Sequence, residues 1–106
     1  MTDAILVLTT LGGDDPRAEE IARALVDERL AACVNVLAPM VSVYRWKGSV
    51  ERDTERQLVI KTTRGRLETV KSRLAALHPY ELPELIVIPI DGGGEEYLSW
   101  VSRQTD

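Results

Sequence analysis

His78-Pro79-Tyr80-Glu81-Leu82-Pro83-Glu84 runs straight into Leu85-Ile86-Val87-Ile88-Pro89-Ile90, and this passage sets where the second long helix stops and the last strand begins. Proline fixes its own φ and pushes the preceding residue out of the helical region. A helix of about residues 65–77, with Leu67, Val70, Leu74 and Leu77 on one stripe and Thr63 or Arg64 near its cap, must therefore end near Leu77. The strand that follows spans about 84–90, and Pro89 marks it as an edge. Between them lies a loop stiffened by two prolines. It carries the only histidine, an aromatic hydroxyl and two carboxylates. Polar groups pinned to a scaffold in this way are where binding chemistry is usually found. The plainer reading is a rigid connector.

Upstream, Ala4-Ile5-Leu6-Val7-Leu8-Thr9-Thr10 is an apolar run of strand length, as expected for a central strand. Gly12-Gly13 ends it. Asp15 then stands where an N-cap belongs, Pro16 at the first helical position, and Glu19 and Glu20 near the positive helix end. Ala18, Ile21, Ala22, Leu25 and Val26 recur at helical spacing, which predicts a helix of about 16–29. Cys33–Leu37 and Val41–Trp46 read as strands, with Pro39 between them as a bend or edge. Lys47-Gly48-Ser49 is a tight turn, and the return strand runs from Val50 to Thr62 with Leu58, Ile60 and Thr62 on one face. Arg45, Lys47, Glu51, Arg52, Asp53, Glu55 and Arg56 make the turn end too polar for a core, so this hairpin must project beyond the domain. Gly92-Gly93-Gly94 leads to a short last helix carrying Tyr97, Leu98, Trp100 and Val101.

The order β-α-β-β-α-β-α is the split βαβ plan. The expected fold class is therefore α+β, a ferredoxin-like split βαβ sandwich with a long β-hairpin and an extra C-terminal helix. Two helices cover one sheet face, and the other face keeps alternate apolar residues without a local cover. An uncovered face and a projecting hairpin call for a partner, and a second copy is the simplest one.

With 106 residues and 11.8 kDa the chain has the size of a single domain, residues 1–106, that buries roughly two-thirds of its unfolded surface without staples. One cysteine, Cys33, excludes an internal disulfide. Met1 leads directly into a strand-like run with no basic n-region, and no apolar stretch reaches the length of a membrane span. A soluble cytoplasmic protein without membrane contact is the expectation. The net charge of −4 argues against a nucleic-acid partner, whose phosphates require a basic surface. Ten arginines against three lysines are scattered along the chain and mark no ligand. No serine stands in a nucleophile elbow, Gly92-Gly93-Gly94 lacks the flanks of a phosphate loop, and Glu81 and Glu84 read as solvated acids. Catalysis is not expected.

Five motifs in order carry a more specific reading: Leu30-Ala31-Ala32-Cys33-Val34-Asn35, Ser42-Val43-Tyr44-Arg45-Trp46-Lys47-Gly48-Ser49-Val50-Glu51, Ile60-Lys61-Thr62, His78-Pro79-Tyr80-Glu81-Leu82-Pro83-Glu84, and Tyr97-Leu98-Ser99-Trp100. Together, over residues 4–102, they resemble the CutA family of divalent-cation tolerance proteins. The resemblance implies a ferredoxin-like subunit in a tight homotrimer, involved in tolerance of or response to divalent metal ions, with copper or another divalent cation as the implied ligand. The same architecture resembles the PII signalling trimers, so a trimeric sensor or scaffold with a small non-metal ligand is the alternative.

As metal ligands the chain offers Cys33, soft as a thiolate, the imidazole of His78, and Glu81 as an oxygen partner. The cysteine and the histidine lie 45 residues apart, so only the fold can join them. In some relatives a cysteine stands at the position of Thr9 and a histidine at that of Leu77; neither ligand is present here, which leaves weak, surface-type binding. As a ligand cleft between subunits the chain offers Lys61, Tyr80, His78 and Trp46, with Glu55 or Glu84 pairing Lys61. Packing between subunits is the plainer role for Tyr44, Trp46, Tyr97 and Trp100, as a buried strand position is for Cys33.

Overall fold

The computed structural model describes residues 2–106; Met1, read above as leading into the first strand, lies outside them. Five strands and three α-helices follow in the order β1 (Ala4–Gly12), α1 (Arg17–Asp27), β2 (Cys33–Val36), β3 (Met40–Trp46), β4 (Ser49–Thr63), α2 (Leu67–Leu77), β5 (Ile86–Pro89) and α3 (Glu95–Gln104), with a 3-10 turn at Arg64–Arg66 before α2. All pairings are antiparallel, in the order β2-β4-β1-β5, and β3 extends the sheet along the outer half of β4. This is the split βαβ arrangement expected, and β5, with Pro89, is an edge strand.

Alternation decides the faces. Ile5, Val7, Thr9 and Leu11 of β1 and Leu58, Ile60 and Thr62 of β4 are all fully buried. They meet Ala18, Ile21 and Leu25 of α1 and Val70 and Leu74 of α2 in one apolar core. Burial of each large aliphatic side chain here contributes about 1.5–3 kcal/mol. The opposite face is only partly bare. Ala4 and Ala32 pack under Val101 of α3, with Leu98, Trp100 and Ile90 around them. The C-terminal helix thus covers one end of the face expected to lack a local cover, while Ile86 and Ile88 on β5 remain exposed.

Helix α1 is shorter than its periodicity suggests. Arg29 adopts φ 60°, Leu30 N–H donates to Leu25 O and Arg29 N–H to Val26 O, which closes the helix as a Schellman motif with arginine where glycine is usual. Leu25 and Leu30, both buried, supply the apolar contact of that motif. At the other end Asp15 Oδ1 accepts the Arg17 N–H at 2.9 Å, so it caps as expected although the helix starts one residue later. The hairpin turns on Lys47 (φ 49°) and Gly48 (φ 85°), the two positive φ values of a two-residue type I′ connection. It carries β3 and β4 outward and gives the chain a longest dimension of 44 Å.

Candidate functional site

The 78–84 loop lies against the end of the sheet where β1 finishes and the hairpin leaves the domain. His78 closes α2 with its N–H on Leu74 O at 2.8 Å, and its ψ of 134° is the extended value that Pro79 requires. Its ring is buried. Nε2 lies 2.8 Å from Thr10 O and Nδ1 accepts the N–H of Tyr80 at 3.1 Å. A carbonyl only accepts, so these partners assign the proton to Nε2 and the lone pair to Nδ1. Burial holds the imidazole pKa below its usual value, against the Thr10 hydrogen bond and the charge of Asp15. His78 is a neutral ring with both nitrogens engaged.

Tyr80 stacks edge-on against His78 at 4.8 Å and donates its hydroxyl to Glu55 Oε2 at 2.8 Å. Burial and the Glu55 bond together raise the phenol far above its usual pKa. Glu55 is only 9 % exposed, and among the described residues no basic side chain forms an ion pair with it. A carboxylate this buried is costly unless it is hydrogen-bonded, and Tyr80 supplies that bond. Gln57 Nε2 donates to Glu84 at 3.4 Å, and Glu81 pairs with Lys47 at 3.6 Å. The loop therefore touches the hairpin near its base and at its tip. The Lys47–Glu81 pair is highly exposed and contributes little.

Further out, Tyr44 donates its hydroxyl to Asp53, which pushes the Tyr44 pKa up to about 12. From the sequence, Tyr44 reads as a packing residue and Asp53 as one of the hairpin's polar residues, with no link between them. Counting back from Lys47-Gly48 would have placed them diagonally across the strands, because Tyr44 faces Glu51 and Asp53 is two residues on.

The residues expected to act together fall into separate places. Cys33 is half-buried on β2, opposite Lys61 of β4. Thr10, which holds His78, is opposite Gln57, four residues from Lys61 and so about 13 Å along the strand. His78, Cys33 and Glu81 do not converge, and among the described residues no three His, Cys, Asp or Glu side chains do. With both imidazole nitrogens engaged, the chain does not fit a resident metal ion at His78. Lys61 is not beside Glu55 or Glu84. Its ammonium lies 5.7 Å from the Tyr97 ring of α3, and six residues separate it from Glu55, about 20 Å of strand. Trp46 stands half-buried at the hairpin tip, where Lys47 lies 5.5 Å from its ring. Of the expected cleft, Tyr80, His78 and Glu55 come together, Glu84 reaches Gln57 instead, and Lys61 belongs to the other end. An open cleft of about 560 Å³ at that other end, lined by Asp3, Thr63, Asp91 and Glu95 among others, is bordered by none of them.

Comparison with known proteins agrees with the motif reading. The family described as CutA1 divalent ion tolerance protein matches residues 5–104. The divalent-cation tolerance protein CutA of Thermus thermophilus is 46% identical over 100 residues, covering 94% of this chain and 96% of the relative. Human protein CutA is 43% identical over 89 residues, and the match spans 84% of this chain but only half of the human chain. Among solved structures, CutA from Xylella fastidiosa superposes with a TM-score of 0.93 at 47% identity, covering 99% of this chain and all of the other. The structure of the Thermus thermophilus divalent cation tolerance protein gives 0.92 at 45% identity, with 97% and 99% covered.

Proposed function

Because the chain belongs to the CutA1 divalent ion tolerance family, we propose that it acts in tolerance of divalent metal ions, as a homotrimeric binding protein rather than a catalyst. The family match over residues 5–104 carries the metal-tolerance part of this reading. Self-assembly is supported by the exposed Ile86 and Ile88 of the edge strand β5 and by the exposed Val41, Val43 and Val50 of the projecting hairpin. Exposed apolar surface and an open sheet edge of this kind call for a cover, and further copies of the chain would supply one.

Metal ions enter this reading as cargo at the protein surface rather than as a resident cofactor, because His78 has no free nitrogen and Cys33 lies elsewhere. The free thiol of Cys33 fits a reducing compartment, and we place the protein in the cytoplasm. Among the described residues no helix is long and apolar enough to cross a membrane. The test is growth of cells lacking this protein in elevated Cu(II) and other divalent cations, with and without the protein restored. The expected result is impaired growth that the native chain rescues. Unchanged growth under every cation would refute a role in tolerance. A shift of melting temperature with small anions but not with metal ions would favour the PII-like alternative.

A further inference from the structure

Between β5 and α3 the chain runs through Asp91-Gly92-Gly93-Gly94 without regular structure, and all four residues are exposed. Asp91 is the only aspartate followed by glycine. Gly92 brings no Cβ to shield its amide nitrogen, and open space surrounds the place where one would stand. Among the described residues the Gly92 N–H forms no backbone hydrogen bond, and Asp91, Gly92 and Gly93 border the open cleft of about 560 Å³. The other aspartates are followed by groups that are not free. Ala4 N–H, after Asp3, donates to Thr2 Oγ1. The amides after Asp14 and Asp27 donate to Gly12 O and Ala24 O, and Asp15 precedes Pro16, which has no N–H. Asp53 lies inside the paired strand β4, before the β-branched Thr54.

We propose that Asp91-Gly92 is a site of spontaneous isoaspartate formation, a modification that rewires the backbone at the entry to α3. The Gly92 amide nitrogen attacks Cγ of the protonated Asp91 carboxyl. The N–Cγ bond forms, and the carboxyl hydroxyl leaves with the amide proton as water, which closes a five-membered succinimide. Water then adds to one of the two imide carbonyls. Opening at Cγ restores aspartate. Opening at the former main-chain carbonyl leaves the chain running through Cβ and Cγ, one methylene longer, with the old main-chain carboxyl as a side group. The added length falls between two fixed points. Ile90 is held by its N–H on Ala4 O at 3.3 Å, and Gly94 O accepts Leu98 N–H at 2.9 Å at the start of α3. Leu98 packs beside Val101 over Ala4 and Ala32, so slack in this loop loosens the helix that covers that end of the sheet.

The experiment ages the full native chain at neutral pH for weeks beside a synthetic peptide of residues 88–96. Isoaspartate is counted with an isoaspartate-specific carboxyl methyltransferase and a labelled methyl donor, and its position is read by peptide mapping. The expected result is isoaspartate at position 91 in the folded chain, formed about as fast as in the peptide. Gly92→Ala should slow it several-fold. A Cβ at Gly92 meets nothing within 4 Å and the residue is outside the left-handed region, so circular dichroism and the melting temperature of that variant should match the native chain. The separated isoaspartyl form should exchange its α3 amide hydrogens faster than the native form, with β1 and β4 unchanged. A folded chain that keeps Asp91 intact while the peptide converts would overturn the proposal. Conversion as fast at other aspartates, or undiminished in Gly92→Ala, would overturn it as well. Native exchange rates throughout α3 of the isoaspartyl form would overturn the link to the helix.

Discussion

The phenolic hydroxyl of Tyr80 donates to Glu55 across 2.8 Å, tying the 78–84 loop to a strand 25 residues away in the chain. That bond is the only polar partner found for the Glu55 carboxylate among the described side chains, and it couples three elements. His78 receives the Tyr80 N–H, Thr10 at the end of β1 receives the His78 ring proton, and β4 presents Glu55. The loop is therefore held by α2, β1 and β4 together.

Tyr80→Phe keeps the ring against His78 and removes only the donor to Glu55. Loss of one partner of a buried charged group costs about 1–3 kcal/mol. Urea denaturation at fixed protein concentration should show an unfolding free energy lower by that amount, and Tyr80→Phe/Glu55→Gln should lose less than the sum of the two single changes. Additive losses would mean that the two groups do not interact.

His78 should make stability depend on pH. Its folded pKa lies below the ordinary 6.5, so the unfolded chain takes up a proton first as pH falls. The stabilisation is complete above pH 6.5 and is lost as pH drops from there to the folded pKa. Protonation of Nδ1 would also set a donor against the Tyr80 N–H. Denaturation midpoints should fall for the native chain as pH is lowered from about 8 to about 5, and should change less below about pH 6.5 in His78→Gln. Equal slopes in the two proteins would remove the histidine from this role.

Much of this was legible in the sequence. Alternation at Leu58, Ile60 and Thr62 and the helical stripe at Val70 and Leu74 identify core faces because both face one layer, and the structure buries them all. Pro79 ended α2 where it stands, because a proline acts through local sterics. The failures are long-range. Nothing in the chain order shows that Lys61 lies near Tyr97 rather than Glu55, because that depends on where α3 packs. Likewise, the use of both His78 nitrogens depends on a carbonyl 68 residues away. The early end of α1 rests on Arg29 adopting a left-handed conformation, which residue preference argues against.

Thr9 marks a place where the fold carries a cost. Its side chain is fully buried, and its hydroxyl has no hydrogen-bond partner among the described residues. Thr9→Val keeps the shape and removes the unpaired group, so it should stabilise the protein by about 1 kcal/mol. Thermal denaturation would show a higher midpoint. A lower one would mean that the hydroxyl is satisfied in solution.

Copper binding should be weak and independent of His78. Calorimetry of Cu(II) with the native chain and His78→Ala at about pH 7, where the imidazole is neutral, should give similar low affinities, because the native ring has no free nitrogen. A tight isotherm of one ion per subunit that vanishes in the variant would reinstate the histidine as a ligand.

Sedimentation equilibrium of the native protein at micromolar concentration tests most directly whether this subunit works as part of a ring. With chains of 11.8 kDa, three copies should sediment as one species of about 35 kDa. A stable monomer of 11.8 kDa would leave the bare hairpin and the exposed β5 edge without a cover, and would contradict the trimer.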